Sequence, residues 1–244
     1  MDAKVIATSL DEGYPMTEKR VDSSNILQFK TADGKIETVE INQSKGYRIV
    51  KRFFDIVLSL IALVVLSPVF LVTAIAIRLE DGEPVIFTQD RSGLNGSVFK
   101  MYKFRSMRAG ADKEHEDLLK YNELDGPAFK MKLDPRITKV GRFIRKTSID
   151  ELPQLVNILK GEMSIVGPRP LPVYETEKCN TYQKQRLNVL PGLTCYWQVS
   201  GRNNIPFDEW IEMDLKYIKS ASILTDLKLI LLTFGAVIRG GGAY

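Results

Sequence analysis

The chain has one histidine and two cysteines among its 244 residues. With His115 standing alone, a zinc centre or a His-based catalytic site is all but excluded, and Cys179 and Cys195 form no CxxC pair. Both thiols are expected to be reduced and structural. A concentrated basic stripe is also missing. The net charge is +4, and residues 1–49 carry seven Lys/Arg against eight Asp/Glu, so the modest basic excess belongs to the remainder. That balance suits an anionic ligand or anionic lipid headgroups and argues against nucleic acid as a partner. Residues 1–25 lack a basic start followed by an apolar run, so export is not expected. There is no internal repeat and no low-complexity linker. Hydrophobic residues make up 44% and charged residues 26%, so any membrane contact must come from a local segment.

One such segment is present. Ile56 to Ile77 is a run of 22 residues without a charge, preceded by Lys51 and Arg52 and closed by Arg78. A straight spanning helix needs about 20 apolar residues, so length alone permits a crossing. Ser67-Pro68 lies near the middle. Proline there removes a backbone hydrogen bond and clashes with the preceding turn, and the Ser67 hydroxyl can serve the freed carbonyl. If the bend is sharp, neither arm crosses a core of about 30 Å at about 1.5 Å per residue, and the segment must re-enter the side it left. Basic residues at both ends agree with two cytoplasmic ends; a kinked spanning helix is the alternative. Asp55, one turn after Lys51 and Arg52, is expected to pair with one of them in a structural role.

The chain therefore divides into a polar appendage over 1–49, a re-entrant membrane helix over 50–80 broken at Ser67-Pro68, and a cytosolic catalytic domain with interfacial helices over 81–244. The appendage has one patterned stretch, 26–41, that reads as a hairpin turning at Asp33-Gly34. Whether it docks a partner or is a weakly ordered surface element stays open. Past residue 81, Pro84 to Phe87 and Val98 to Arg105 read as strands joined near Asn95-Gly96. Residues 111–131 are charged and helical in character, with turn signals at Asp125-Gly126-Pro127, and are expected to lie over the site. Helices are expected at Ile137 to Arg145, Leu152 to Leu159, Tyr174 to Asn188 and Phe207 to Ile218. The apolar stretch Leu229 to Ile238 is too short to span. The fold class is α+β, mostly α, with a small β element and amphipathic interfacial helices.

The chemistry centres on Asp150 and Glu151. Ser148 to Glu151 has capping-box spacing, and Pro153 suits the first turn if Asp150 itself caps. Either register puts both carboxylates at a helix N-terminus, where the bland interpretation is a well-capped helix. Their neighbours suggest more. Arg145 and Lys146 lie just upstream, and Gly167-Pro168-Arg169-Pro170 supplies a loop whose one guanidinium is fixed between prolines, suited to bidentate phosphate recognition. Carboxylates repel phosphate, so an acidic pair among arginines implies a divalent cation or a covalent step. Mg²⁺ prefers one or two carboxylates and shares phosphate oxygens with a substrate. With no usable His or Cys nucleophile, Asp150 is the covalent candidate.

KRFFD, the Ser67-Pro68 break, KFRSM (Lys103 to Met107), DPRIT (Asp134 to Thr138), SIDELPQL (Ser148 to Leu155), GEMSIVGPRP (Gly161 to Pro170) and PGLTCYWQVSGR (Pro191 to Arg202) resemble, in order, the monotopic bacterial polyprenyl-phosphate phosphoglycosyl transferases. The likeness covers about residues 45–244 and implies a particular reaction. Asp150 would attack the β-phosphate of a UDP-sugar and release UMP, and polyprenyl phosphate would then take the sugar phosphate from the enzyme. Glu151 would hold Mg²⁺ with Asp150 or assist the acceptor. Lys103, Arg105, Arg145 and Arg169 would hold phosphates or the nucleotide. The likeness also implies a re-entrant helix in one leaflet of the bacterial plasma membrane, on its cytoplasmic face, and leaves a homo-oligomer open. Phe207 to Ile218 and the ending Gly240 to Tyr244 resemble the family's longer branch, whose members often use UDP-glucose or UDP-galactose.

Each residue also has a plainer reading. Lys103 and Arg105 can be a solvated strand face; Arg136 and Arg142 can serve helix ends or acidic partners. Trp197, Gln198, Gly201, Arg202 and Asn203 form a loop placed either near sugar or base or in a packed turn. For the whole chain, the alternatives are a Mg-dependent phosphodiesterase acting on nucleotide sugars and a non-enzymatic membrane-tethered scaffold. A glycosidase is rejected because adjacent carboxylates at a helix start do not face each other across the required spacing of about 5 Å or more. No residue names the sugar.

Overall fold

The computed structural model describes residues 26–30, 36–40, 44–123, 131, 133–201 and 205–239. The expected turn residues Asp33-Gly34 and Asp125-Gly126-Pro127, Arg202, Asn203 and the ending Gly240 to Tyr244 lie outside them. Strands β1 (Ile26–Lys30) and β2 (Ile36–Glu40) pair antiparallel. Helix α1 (Lys45–Val65) starts on Ser44, whose hydroxyl accepts the Tyr47 amide, and gives way at Leu66 to α2 (Ser67–Asp81). The two helices are bent by 60°, and among the described residues no single helix is long and apolar enough to cross a membrane. The cause of the bend is local. Pro68 has no N–H to give to the Val64 carbonyl, and the Ser67 hydroxyl donates to that oxygen instead at 2.8 Å. Around the bend Val64, Val65, Leu71 and Val72 are exposed.

Both ends of this apolar bend are fastened to one body. At the start, Arg52 donates to the carbonyls of Ile158 and Leu159 at the end of α5 (Gln154–Lys160), and the buried Asp55 accepts from the Ser164 hydroxyl at 3.1 Å and the Ile165 amide at 2.9 Å. Lys51 pairs with Asp226 at 2.8 Å. The expected pairing of Asp55 with Lys51 or Arg52 is thus replaced by partners from the rest of the fold, which offer unpaired backbone groups that a helix neighbour does not. At the far end, Glu80 accepts from the Lys139 and Val140 amides at 2.8 and 2.9 Å, capping α4 (Lys139–Lys146) from outside.

Strands β3 (Ile86–Ser92) and β4 (Val98–Phe104) form an antiparallel hairpin. Its loop carries Asn95 and Gly96 at φ 55° and 78°, the left-handed pair that this dipeptide supplies readily. The other edge of β4 is closed by one side chain. Asn157 accepts the Tyr102 amide at 3.0 Å and donates to the Lys100 carbonyl at 2.7 Å. That clamp sets α5 against β4, with Phe99, Met101, Leu155, Ile158 and Met163 buried between them.

Short helical turns follow over Ala111–Glu114 and Leu119–Tyr121, flanking α3 (His115–Leu118). A parallel pair, β5 (Ser164–Val166) with β6 (Gly192–Thr194), was not expected. The single helix expected over Tyr174 to Asn188 is two pieces, α6 (Val173–Glu177) and a 3₁₀ stretch Gln183–Asn188. Asn180 and Gln183 explain the break: each side chain accepts the other's backbone amide, a reciprocal cap that starts a new turn. Helices α7 (Tyr196–Ser200), α8 (Phe207–Ser220) and α9 (Ile223–Arg239) enclose the main core, where Ile211, Leu215, Ile218 and Leu229 are fully buried. Helix α9 extends well beyond the ten apolar residues read from sequence; Asp226 within it is buried and bonded to Tyr47, Lys51 and Tyr217.

Arg52→Ala strips partners from two carbonyls at a helix end and should lower stability in detergent by about 1–3 kcal/mol. Arg48→Ala, on the exposed face of α1, should stay within about 0.5 kcal/mol; chemical denaturation of both variants provides the comparison.

Candidate active site

Asp150 and Glu151 sit in a short 3₁₀ turn, Ile149–Glu151, between α4 and α5. Neither carboxylate caps a helix. Ser148 adopts the left-handed conformation (φ 58°) and its hydroxyl makes no capping bond, while α5 begins later, at Gln154, behind Pro153. The capping box expected from the Ser148–Glu151 spacing is therefore absent, because Glu151 has stronger partners. Its Oε1 accepts from Lys103 Nζ at 2.9 Å and from an Arg169 guanidinium nitrogen at 2.6 Å. Charge-assisted bonds of this kind are roughly twice as strong as the neutral amide bond a cap would make.

Two cations from separate parts of the chain meet on that oxygen, and a third, Arg145, is brought alongside. Lys103 follows Phe99 and Met101 on one face of β4, so the period of two carries it past the core to the acidic turn. Arg169 projects from the loop after β5, where Gly167 and Gly192 approach so closely that a Cβ on either would strike backbone at 2.4 and 2.0 Å. Arg145 lies on α4, one turn beyond Gly141. A Cβ at Gly141 would stand 1.9 Å from the Ser106 carbonyl oxygen, so only glycine lets α4 lie on this strand end, and Arg145 Nε then reaches the Ser106 hydroxyl at 2.9 Å.

Asp150 differs from its neighbour. It is only 7% exposed, yet among the described residues its carboxylate accepts no hydrogen bond. Burial, with the Glu151 charge beside it, pushes Asp150 up to about 6 against the pull of Lys103, Arg145 and Arg169. Glu151 moves the other way. Burial would raise it, but the Arg169 and Lys103 charges and their hydrogen bonds hold it well below the usual carboxylate range. The result is one firmly ionised carboxylate, paired through Oε1, next to one desolvated carboxylate with open lone pairs. Burial pushes the Cys195 thiol up to about 12 and raises Cys179, so both sulfurs are held as thiols.

Arg105 is not brought to this site. Its guanidinium donates to the carbonyls of Asp81 and Gly82 and pairs with Asp81 Oδ2 at 3.2 Å, tying the end of α2 to the end of β4. The Arg105 amide still continues the hairpin ladder to the Val85 carbonyl at 2.9 Å, and it is the carbonyls and carboxylate at the end of α2 that take its guanidinium away from the acidic turn. Arg136 forms a bidentate pair with Asp134. Two residues not singled out from sequence support the Arg169 loop. Arg91 donates to the Pro170 carbonyl at 2.9 Å, and Arg186 donates to the Arg169 carbonyl at 2.7 Å while paired with Asp214. Their spacing gave no local signal, since both partners are distant in the chain. The described residues contain no cluster of three or more metal-ligating side chains. The donor set still fits Mg²⁺ shared with a diphosphate: two adjacent carboxylates, with Glu151 Oε2 not used by Lys103 or Arg169.

Residues 46–240 match the sequence pattern of the bacterial sugar transferases. The chain belongs to that family. Among its relatives, a galactosyl transferase CpsE from Streptococcus agalactiae is 53% identical over 199 residues, covering 81% of this chain and 44% of that protein. An undecaprenyl-phosphate galactose phosphotransferase from Salmonella typhimurium is 42% identical over 204 residues, covering 82% and 43%. The chain thus spans under half the length of these two relatives. An exopolysaccharide production protein ExoY from Sinorhizobium fredii is 40% identical over 198 residues, covering 80% of this chain and 88% of that protein. The acidic turn and its basic surroundings lie inside the matched segment.

The Asp150 shift has a stability consequence with a defined sign. A carboxyl group raised on folding stabilises the fold fully below its unfolded value near 4, and that stability is lost as pH rises through about 6. Asp150→Asn removes the penalty, so at pH 8 it should be more stable than the parent chain by about 1–3 kcal/mol, with the gap closing below about pH 4. Thermal unfolding across pH measures this; Glu151→Gln should instead destabilise at pH 8.

Proposed function

We propose that this sugar transferase moves a hexose 1-phosphate from a UDP-sugar to polyprenyl phosphate, releasing UMP, in two displacements through Asp150. The observation that carries this reading is the unpaired, desolvated Asp150 carboxylate, flanked by Lys103, Arg145 and Arg169 beside a Glu151 that stays charged. In the first displacement an Asp150 oxygen attacks the β-phosphorus, the bond from that phosphorus to the bridging oxygen breaks, and UMP leaves with the oxygen. In the second, an oxygen of polyprenyl phosphate attacks the same phosphorus and Asp150 departs as a carboxylate. No net proton is exchanged at Asp150, so neither displacement needs a general base at that carboxylate. Lys103 and Arg169, already gathered on one carboxylate oxygen, are suited to hold diphosphate oxygens; Arg145 faces the same turn from α4. Mg²⁺ held by Glu151 and Asp150 would neutralise diphosphate charge and help UMP leave.

The lipid acceptor requires a membrane address. The apolar bend at Ser67-Pro68 has both ends bonded into one body, through Arg52 and Asp55 at one end and Glu80 at the other. A segment so tied cannot place its ends on opposite sides of a bilayer, which supports entry and exit through the cytoplasmic leaflet of the bacterial plasma membrane. The names of the relatives, which include undecaprenyl-phosphate galactose phosphotransferase and exopolysaccharide production protein, support the same substrate class and a place at the first membrane step of surface polysaccharide synthesis.

The detergent-purified protein, given a panel of UDP-sugars with Mg²⁺ and polyprenyl phosphate, should form UMP and a lipid-linked sugar from one or two of them. Because Asp150 must be ionised to attack, kcat/KM for UMP release should fall about tenfold per pH unit below about pH 6. Steady turnover of UMP without any lipid would favour the phosphodiesterase reading instead.

A further inference from the structure

The chain has two tryptophans, Trp197 and Trp210, and they lie against each other. Their rings stack at 4.5 Å between centroids with 19° between planes, and both are buried. The stack is extended by two guanidinium groups. Arg169 stands over the Trp197 ring with its central carbon 5.5 Å from the centroid, and Arg186 stands over Trp210 at 5.2 Å. Arg186 closes the loop: it pairs with the buried Asp214 and donates a second bond to the Arg169 carbonyl. Phe207 packs edge-on against Trp210 from the start of α8.

Trp197 therefore does not offer an open aromatic face to a sugar or a base, one of the two placements read from sequence. We infer that the Trp197–Trp210 stack and the Arg186–Asp214 pair are positioning elements for diphosphate recognition, holding Arg169 so that its guanidinium points at the acidic turn. The inference rests on the proposed role of Arg169 toward phosphate. Arg169 carries a long side chain whose free rotamers cost entropy to order, and a flat aromatic surface beneath a planar cation removes most of them in advance. Buried cation–π contacts are strong enough to matter for this, and the prolines on either side of Arg169 fix the backbone but not the side chain.

UDP serves as a soluble probe for the diphosphate part of the site. Trp197→Leu should weaken UDP binding about tenfold, and Trp197→Phe, which restores a flat ring under Arg169, should recover most of that loss. Arg169→Ala should weaken UDP at least as much as Trp197→Leu. If Arg169→Ala binds UDP like the parent chain, the phosphate role of Arg169 fails; if Arg169→Ala weakens binding and Trp197→Leu does not, the positioning inference fails alone. A second measurement needs no substitution. With both tryptophans in the stack, the unmodified protein should show an exciton couplet in circular dichroism that persists at saturating UDP, because Arg169 stays seated on Trp197. Loss of the couplet on UDP binding would overturn the inference.

Discussion

A single carboxylate oxygen, Glu151 Oε1, receives Lys103 from one strand and Arg169 from a loop 18 residues further along the chain. Much of the site follows from that convergence. Two cations cannot be held close together in a buried place unless a negative charge lies between them, and Glu151 supplies it. Because both of its bonds come from cations, Glu151 stays ionised, and its charge then works on Asp150, which already resists ionisation through burial. Two adjacent carboxyl groups thus have their ionisation shifted in opposite directions, Glu151 down and Asp150 up.

The rest of the fold serves to bring these pieces into reach. Asn157 fastens α5 to the edge of β4 and so fixes the acidic turn relative to Lys103. Gly141 lets α4 lie directly on the Ser106 backbone, which brings Arg145 in from the other side. Arg52, Asp55 and Glu80 tie the apolar bend to α5, β5 and α4, so the elements that carry the chemistry are also those that hold the bend. Placement of the apolar bend and placement of the acidic turn are in this way one structural problem.

The parts legible in the sequence were those governed by local chemistry. Pro68 announced the bend and Ser67 its compensation; Asn95-Gly96 announced the hairpin; Gly167 to Pro170 announced a stiff loop with one cation. The parts that were not legible depend on partners far along the chain. The β5–β6 pair consists of three-residue strands with no pattern of their own. The Ser148–Glu151 spacing suggested a cap, but two distant cations outcompete a backbone amide. Arg105 and Lys103 look alike in sequence, and only their distant partners, Asp81 and Gly82 for one and Glu151 for the other, send them apart. Arg186, Asp214 and Trp210 carried no mark at all, since their meaning comes from stacking across three separate elements.

The central claim is that Asp150 itself carries the sugar phosphate between donor and acceptor. Intact-mass and peptide-level mass spectrometry of the protein mixed with its UDP-sugar and Mg²⁺, without lipid, tests this most directly. The account predicts one hexose phosphate per chain, located on Asp150 and discharged when polyprenyl phosphate is added. Unmodified protein under conditions where UMP has formed, or an adduct on any other residue, would contradict it.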